Sequence, residues 1–483
     1  MYHVKILQGE QEEEIVVPEG QRLIECLWGK IDAPCAGKGI CGKCRMEVLT
    51  GKGWKEQLAC HTQVDRDLIV RLPQIKKEEQ MQAGTARRIG IAVDLGTTTI
   101  AVYLVDLEDG QVKATFSEEN AQKAYGADVV SRIEYSGRRG TEELQKVICK
   151  QLWSMICRIS VREPERVVIA GNTVMNHLLL GKDPSGLAAY PFEPQFLEGQ
   201  RCKASRFGWD GAFEVLIMPS ISAYIGGDIT ASILACGIHK TDRTELLIDL
   251  GTNGEMVLSH QGRLYATSVA VGPAFEGSHI ACGTAGIPGA VDHVHLERGL
   301  VEITTIEQKP SLGICGNGLV ETAASLLEQG IMDHNGKLKE KLLQPPVWRK
   351  YIQGSGKEIL FRLTPQLFIS QQDIRQLQYA KAAVAAGIQV LLEQAGGAAD
   401  EVYLAGGFGS YLSRESAVRI GLLPEKLLKL IRASGNTSGK GAVLVLRQPE
   451  LFAEAERLRE RVQVLELGGD PRFEELYLSH MNF

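Results

Sequence analysis

The sequence predicts an α/β chain built by duplication behind a small α+β amino-terminal domain, and three observations predict it. Residues 89 to 105 read IGIAVDLGTTTIAVYLV, and from Glu245 the chain repeats that pattern as ELLIDLGTNGEMVLS. A third strand-like run, Val402 to Ala405, ends in Gly406-Gly-Phe-Gly. Ahead of all of these, four cysteines fall between residues 35 and 60. In each copy of the repeat an apolar run ends in Asp-Leu-Gly-Thr, passes a tight polar turn and enters a second apolar run, so each copy reads as two strands joined by a hairpin.

The remaining choices are bounded by size and charge. The 483 residues are too many for one ordinary domain, and 44% apolar residues can bury several cores. A net charge of −6 without a lysine or arginine block argues against a nucleic-acid or anionic-membrane partner. No run reaches the roughly 18 uninterrupted apolar residues of a membrane helix. The start, MYHVKILQG, alternates like a strand and lacks the charged head and apolar core of a signal peptide, so the expected location is the cytoplasm. Eleven cysteines in a reducing compartment do not suggest a disulfide framework.

Residues 1 to 75 form the first expected domain. Tyr2 to Leu7 and Glu14 to Val17 read as strands, Gln21 to Trp28 as a short helix and Arg45 to Leu49 as a further strand. Between helix and strand lies Cys35-Ala-Gly-Lys-Gly-Ile-Cys41-Gly-Lys-Cys44, with Cys60 fifteen intervening residues later. Zinc sites take ligands as two paired knuckles, whereas three cysteines on one loop with a distant fourth is the plant-type [2Fe–2S] arrangement. The loop glycines free backbone N–H groups for the cluster sulfurs. Cys26 sits among Leu23, Ile24 and Leu27 and reads as a small buried hydrophobe. The segment resembles the β-grasp [2Fe–2S] ferredoxins. Its five-residue gap between the first two cysteines is similar to the adrenodoxin-like branch, and its fourth cysteine comes early.

Residues 76 to 88, KKEEQMQAGTARR, are charged and aperiodic and read as a linker. They could span about 45 Å extended and about 20 Å as flexible coil. Residues 89 to 483 then read as two lobes, approximately 89–243 and 244–483. Glycine in each Asp-Leu-Gly-Thr turn lets the backbone approach a ligand, the next residues offer hydroxyl or amide donors, and consecutive N–H groups make an anion nest suited to phosphate. Asp94 and Asp249, at the mouths of the turns, are placed to hold Mg²⁺ through water. Val167 to Ala170 is a strand entering Gly171-Asn-Thr, Val174 to Leu180 a helix, and His177 within it a satisfied core histidine. Ile229 to Ala235, Gly318 to Gln329 and Ile374 to Gln394 also read as helices. Gly406-Gly-Phe-Gly reads as a turn toward a helix near Ser413, admitting a flat base against bare backbone.

Two such hairpins followed by a strand ending in Gly-Gly-Phe-Gly resemble the superfamily of acetate and sugar kinases, Hsp70 and actin. The resemblance implies two ribonuclease H-like lobes with ATP and Mg²⁺ between them. Asp94, Gly96, Thr97 and Thr98 match its first phosphate motif; Asp249, Gly251, Thr252 and Asn253 match the second; Gly406, Gly407 and Gly409 match the adenosine motif. Together with AGNTVMNHLLLG (170–181), GPAFEG (272–277) and GICGNGLVE (313–321) behind a ferredoxin segment, the chain resembles the ATP-dependent reductive activators of corrinoid enzymes. Longer relatives insert a segment where this chain has only the linker.

That resemblance implies ATP-assisted, one-electron reduction of a Co(II) corrinoid to Co(I). Electrons would pass from an upstream low-potential donor through the [2Fe–2S] cluster to a corrinoid protein or corrinoid-dependent methyltransferase. It implies an acceptor of lower potential than the cluster and leaves a homodimer open. A small-molecule kinase would leave the ferredoxin segment unexplained. An activator of a radical-type dehydratase would use cluster ligands in the ATPase itself; Cys282 and Cys315, in glycine-rich turns, are the candidates, though small residues packed between close backbones explain them as well.

Overall fold

A computed structural model of the chain describes residues 1–8, 11–27, 31, 44–51, 53–72 and 88–483. Cys35, Cys41 and the linker expected at 76–88, apart from Arg88, lie outside the described residues. Two compact units emerge: Met1–Ala231 with Ser438–Glu456, and Ser232–Thr437 with Arg457–Phe483.

Within the first unit, the amino-terminal residues form a five-stranded sheet. Its strands are β1 (Tyr2–Gln8), β2 (Gln11–Val17), β3 (Arg45–Thr50), β4 (Gly53–Leu58) and β5 (Leu68–Arg71), in the order β2-β1-β5-β3-β4. β1 pairs antiparallel with β2 and parallel with β5. Val4, Ile6, Leu23, Ile24, Leu27, Val48 and Val70 fill one core; burying each such side chain stabilises the fold by about 1.5–3 kcal/mol. The helix expected from Gln21 contracts to one 3₁₀ turn, Leu23–Glu25. Arg22 supplies no side-chain cap, and the Leu23 N–H is already committed to the Thr62 carbonyl at 2.8 Å, so this stretch is tied to its neighbour rather than wound into a helix.

The rest of the first unit is a six-stranded sheet of β6 (Ile89–Leu95), β7 (Thr99–Asp106), β8 (Val112–Glu119), β9 (Arg166–Gly171), β10 (Gln200–Lys203) and β11 (Glu214–Ile217), ordered β10-β11-β9-β6-β7-β8. β6 is buried along nearly its whole length, which is why it reads as a continuous apolar run. Helices α1 (Val129–Arg139), α2 (Glu142–Ile159) and α3 (Thr173–Leu179) belong to this unit, and Asn172 caps α3 by accepting the Met175 N–H at 2.9 Å. Helix α4 (Gly227–Cys236) carries the chain from the first unit into the second.

The second unit repeats the plan. Its main sheet contains β12 (Glu245–Leu250), β13 (Asn253–His260) and β14 (Arg263–Ala270). A small sheet of β15 (Ala290–Glu297), β16 (Leu300–Thr305) and β17 (Gly313–Ile314) leads into α5 (Gly316–Glu328). Another, of β18 (Ile352–Gln353), β19 (Leu360–Arg362) and β20 (Phe368–Ser370), leads into α6 (Gln371–Glu393). The main sheet is completed by β21 (Glu401–Ala405), β22 (Ile431–Gly435) and β23 (Val462–Val464), in the order β22-β21-β12-β13-β14-β23. Each main sheet therefore contains a hairpin with a third antiparallel strand on one side and a parallel strand on the other. The registers agree in detail: Asp94 lies opposite Ala170 of β9, and Asp249 opposite Ala405 of β21. This is the duplication the repeated hairpin predicts. Gly406 to Ser410, read from sequence as a turn, lies instead in a short helix, α7 (Gly406–Tyr411), followed by α8 (Arg414–Arg419), which Ser413 caps. Glycine is a poor helix former, but packing overrides that propensity here, with Phe408 stacked on Phe275 at 4.5 Å. Among the described residues, no helix is long and apolar enough to cross a membrane.

Candidate functional site

In the first unit Asp94 stands near the end of β6, and Gly96, Thr97 and Thr98 form the turn into β7. A Cβ on Gly96 would collide with the Thr99 carbonyl oxygen, so the turn requires glycine. Asp94 Oδ1 accepts from the Ser438 hydroxyl at 2.7 Å, a contact between residues 344 positions apart. Asp228, the second residue of α4, is half-buried and faces the same carboxylate. Desolvation, then the nearby Asp94 charge, push the Asp228 carboxyl up to about 7. Burial, then the same Asp94 charge, raise the Tyr103 phenol. The Gly171-Asn-Thr turn joins this half: Asn172 donates from Nδ2 to Thr97 Oγ1 at 2.9 Å, and a Cβ on Gly226 would collide with the Asn172 backbone. Two carboxylates, hydroxyls and a glycine turn are the hard oxygen and amide donors that suit Mg²⁺ and phosphate.

The second unit gathers Asp249, Gly251, Thr252 and Asn253 with the glycine-rich helix α7 after β21. Gly406 has φ +82°, and a Cβ there would lie 2.5 Å from Asp249 Oδ1. Asp249 and the start of the Gly406-Gly-Phe-Gly segment are thus in van der Waals contact through a glycine. The Gly272–Gly277 segment, GPAFEG, links them a second time. Glu276 accepts from the Thr252 hydroxyl at 2.6 Å, while Phe275 stacks on Phe408 at 4.5 Å with the rings 12° from parallel. Gly407 is exposed and Gly409 buried, with Leu404 beneath Gly409. Bare backbone beside a stacked aromatic pair is a surface that can take a planar base.

Two of the four amino-terminal thiols are described, and they meet: Cys44 and Cys60 are both buried with sulfurs 3.2 Å apart. That is far beyond the roughly 2.05 Å of a disulfide and close enough for both to bind one metal. Cys26 packs half-buried against the core, as the sequence predicts, and burial raises its thiol. Cys282 directs its sulfur at the Gln366 carbonyl, whereas Cys315, buried at the start of α5, lies by the Asn317 and Gly318 backbone. Burial raises both thiols. His177 is fully buried, its Nδ1 2.7 Å from the Thr173 carbonyl and its Nε2 accepting the Gln195 N–H at 3.1 Å, with Phe196 stacked on the ring. It is a satisfied core residue.

Residues 243–483 match the family model described as the C-terminal domain of RACo, the ASKHA domain, and residues 89–241 match the RACo middle region. The corrinoid activation enzyme RamQ of Eubacterium limosum is 31% identical over 422 residues, covering 82% of this chain and 70% of that protein. The chain belongs to the RACo family. A second relative within reach is the [Co(II) methylated amine-specific corrinoid protein] reductase of Methanosarcina barkeri, 25% identical over 82% of this chain and 77% of its own length. Among solved structures, a reductive activator for a corrinoid iron–sulfur protein superposes with a TM-score of 0.74 at 27% identity, covering 100% of this chain and 98% of that one.

Sequence reading missed Asp228, Ser438 and Glu276 as neighbours of the two Asp-Leu-Gly-Thr turns. Asp228 carried one visible signal, the Gly226-Gly-Asp start of a helix. Ser438 and Glu276 carried none, because each reaches its motif residue only through the fold.

Proposed function

We propose that this protein reactivates a corrinoid protein by reducing its cobalt from Co(II) to Co(I), one electron at a time, with ATP hydrolysis assisting. The observation that carries the electron path is the Cys44 and Cys60 sulfur pair, buried together in a small mixed sheet. With Cys35 and Cys41 they would hold a [2Fe–2S] cluster, and the strand order β2-β1-β5-β3-β4 suits a β-grasp ferredoxin. Such a cluster supplies one-electron transfer at a potential of about −400 mV. An acceptor below that level makes the transfer uphill, each ~59 mV costing a factor of ten in the equilibrium.

ATP answers that cost if nucleotide-bound and nucleotide-free protein bind the corrinoid partner differently, since differential binding is all a coupled shift requires. This chain's residues have separable tasks in that scheme. Asp94 and Asp249 would hold Mg²⁺ through water. The turns at Gly96-Thr-Thr and Gly251-Thr-Asn would face the phosphates, and Gly406, Gly407 and Gly409 the adenosine. Asp228, whose carboxylate at the start of α4 faces Asp94, is the group we assign to accept a proton from attacking water. The names of the relatives support the cobalt substrate.

The test is anaerobic. Purified full-length protein should carry about two irons per chain and a [2Fe–2S] visible spectrum. With a low-potential reductant and a Co(II) corrinoid protein it should form Co(I) faster with ATP than without. A colourless, zinc-containing protein would refute the electron path, and Co(I) formation indifferent to ATP would refute the coupling.

A further inference from the structure

We propose that Arg132, on α1 and outside every motif, is a positioning residue that sets the anion-binding face of the Gly96-Thr-Thr loop. The inference rests on reading that loop as a phosphate site. Three consecutive carbonyls of the loop are held from one side. The Gly96 oxygen accepts from Asn120 Nδ2 at 2.9 Å, the Thr97 oxygen from Arg132 Nη2 at 2.6 Å, and the Thr98 oxygen from the Asn120 N–H at 2.9 Å. In a planar trans peptide the C=O and N–H point in opposite directions. Fixing these three carbonyls therefore turns the Thr97, Thr98 and Thr99 amides toward the opposite side, and successive amides on one side make an anion nest.

Arg132 is the centre of this arrangement. Its side chain is fully buried, and its fork spans from the Gly126 carbonyl, 3.0 Å from Nε, to the Thr97 carbonyl. Nη1 reaches Gln122 Oε1 at 3.4 Å and Met175 Sδ at 3.2 Å. Gln122, also fully buried, is tied in turn to the Leu144 carbonyl of α2 at 2.8 Å and to Asn120 Oδ1. The loop thereby inherits the rigidity of two helices. A lysine ammonium keeps the charge but cannot bridge Gly126 and Thr97 with one planar group.

Equilibrium binding of ATP with Mg²⁺, and of adenosine alone, to full-length protein tests this. Arg132→Lys removes the fork; Asn120→Ser keeps a capping oxygen for the following turn but withdraws the donor from Gly96. Each variant should lose about tenfold in ATP affinity and under about twofold in adenosine affinity, so the preference for ATP over adenosine falls. A residue that only supported the fold would change both ligands alike. If the wild-type protein binds ATP no better than adenosine, the phosphate-site reading falls and this inference with it. If the wild type prefers ATP and the variants retain that preference in full, the inference alone is overturned. Should Arg132→Lys fail to fold, Asn120→Ser decides by the same criterion.

Discussion

Asp94 and Asp249 occupy equivalent positions in their sheets, each opposite an alanine at the end of the neighbouring parallel strand, yet the turns that follow are held by different means. The first turn, Gly96-Thr-Thr, is one residue longer than the second, Gly251-Thr, and two of its three carbonyls, those of Gly96 and Thr97, are anchored by side chains brought from other elements. The second is closed by the backbone itself, with the Gly251 N–H on the Asn253 carbonyl at 2.9 Å and the Gly272 N–H on the Thr252 carbonyl at 3.0 Å. The surroundings differ in the same sense. Asp94 faces Asp228, Ser438 and Tyr103, whereas Asp249 packs against Gly406 beside the Phe275 and Phe408 stack. One half is polar; the other is lined by glycine beside a packed aromatic pair. Duplication supplied the frame, and the side chains around its two copies differ.

The largest effects expected from breaking this comparison come from the two aspartates. Asp94→Asn and Asp249→Asn should each lower ATP turnover about 100-fold or more, with the visible spectrum unchanged. Normal hydrolysis in either variant would remove that half from the site. The next test sets Gly406 against Gly171, its topological counterpart at the end of β9. An alanine Cβ at 406 would sit 2.5 Å from Asp249 Oδ1 at φ +82°, whereas at 171 the nearest atoms, those of Leu95, are 3.0 Å away. Gly406→Ala should weaken nucleotide binding about tenfold, since strain of this kind costs about 1–3 kcal/mol, and Gly171→Ala should cost less. Equal losses by calorimetric titration would contradict the asymmetry.

The same asymmetry explains what the sequence revealed. The two hairpins were legible because each is local: the apolar period, the glycine turn and the aspartate lie within seventeen residues. Asp94 meeting Ser438, or Arg132 meeting Thr97, depends on chain crossings that no local pattern records. Gly406 to Tyr411 misled for the complementary reason, since a glycine-rich helix exists only through its packing. The nearness of Cys44 and Cys60 is in keeping with a spacing that suggests four gathered thiols, of which these two are described.

Smaller effects should follow from the bonds that tune each half. Thr252→Val withdraws the hydroxyl from Glu276 and should slow turnover about fivefold, the worth of one charge-assisted hydrogen bond lost. His177, in the helix after β9, provides the weakest test. Burial lowers its pKa in the folded state, so between that value and the ordinary 6.5 the unfolded chain binds more protons than the folded one. Stability should therefore decline as pH falls below 6.5. A His177→Asn variant, less stable at neutral pH, should show a flatter decline in urea unfolding; an identical slope would show that other groups cause it.

The central proposal is that one chain joins an electron path through Cys35, Cys41, Cys44 and Cys60 to ATP hydrolysis that depends on Asp94 and on Asp249. The most direct measurement follows phosphate release and Co(I) absorbance together, with one Co(II) corrinoid protein and reductant, for the wild type and for Cys60→Ser. The account predicts that Cys60→Ser still hydrolyses ATP in response to the partner while Co(I) no longer forms. Co(I) appearing at the wild-type rate in Cys60→Ser would contradict it.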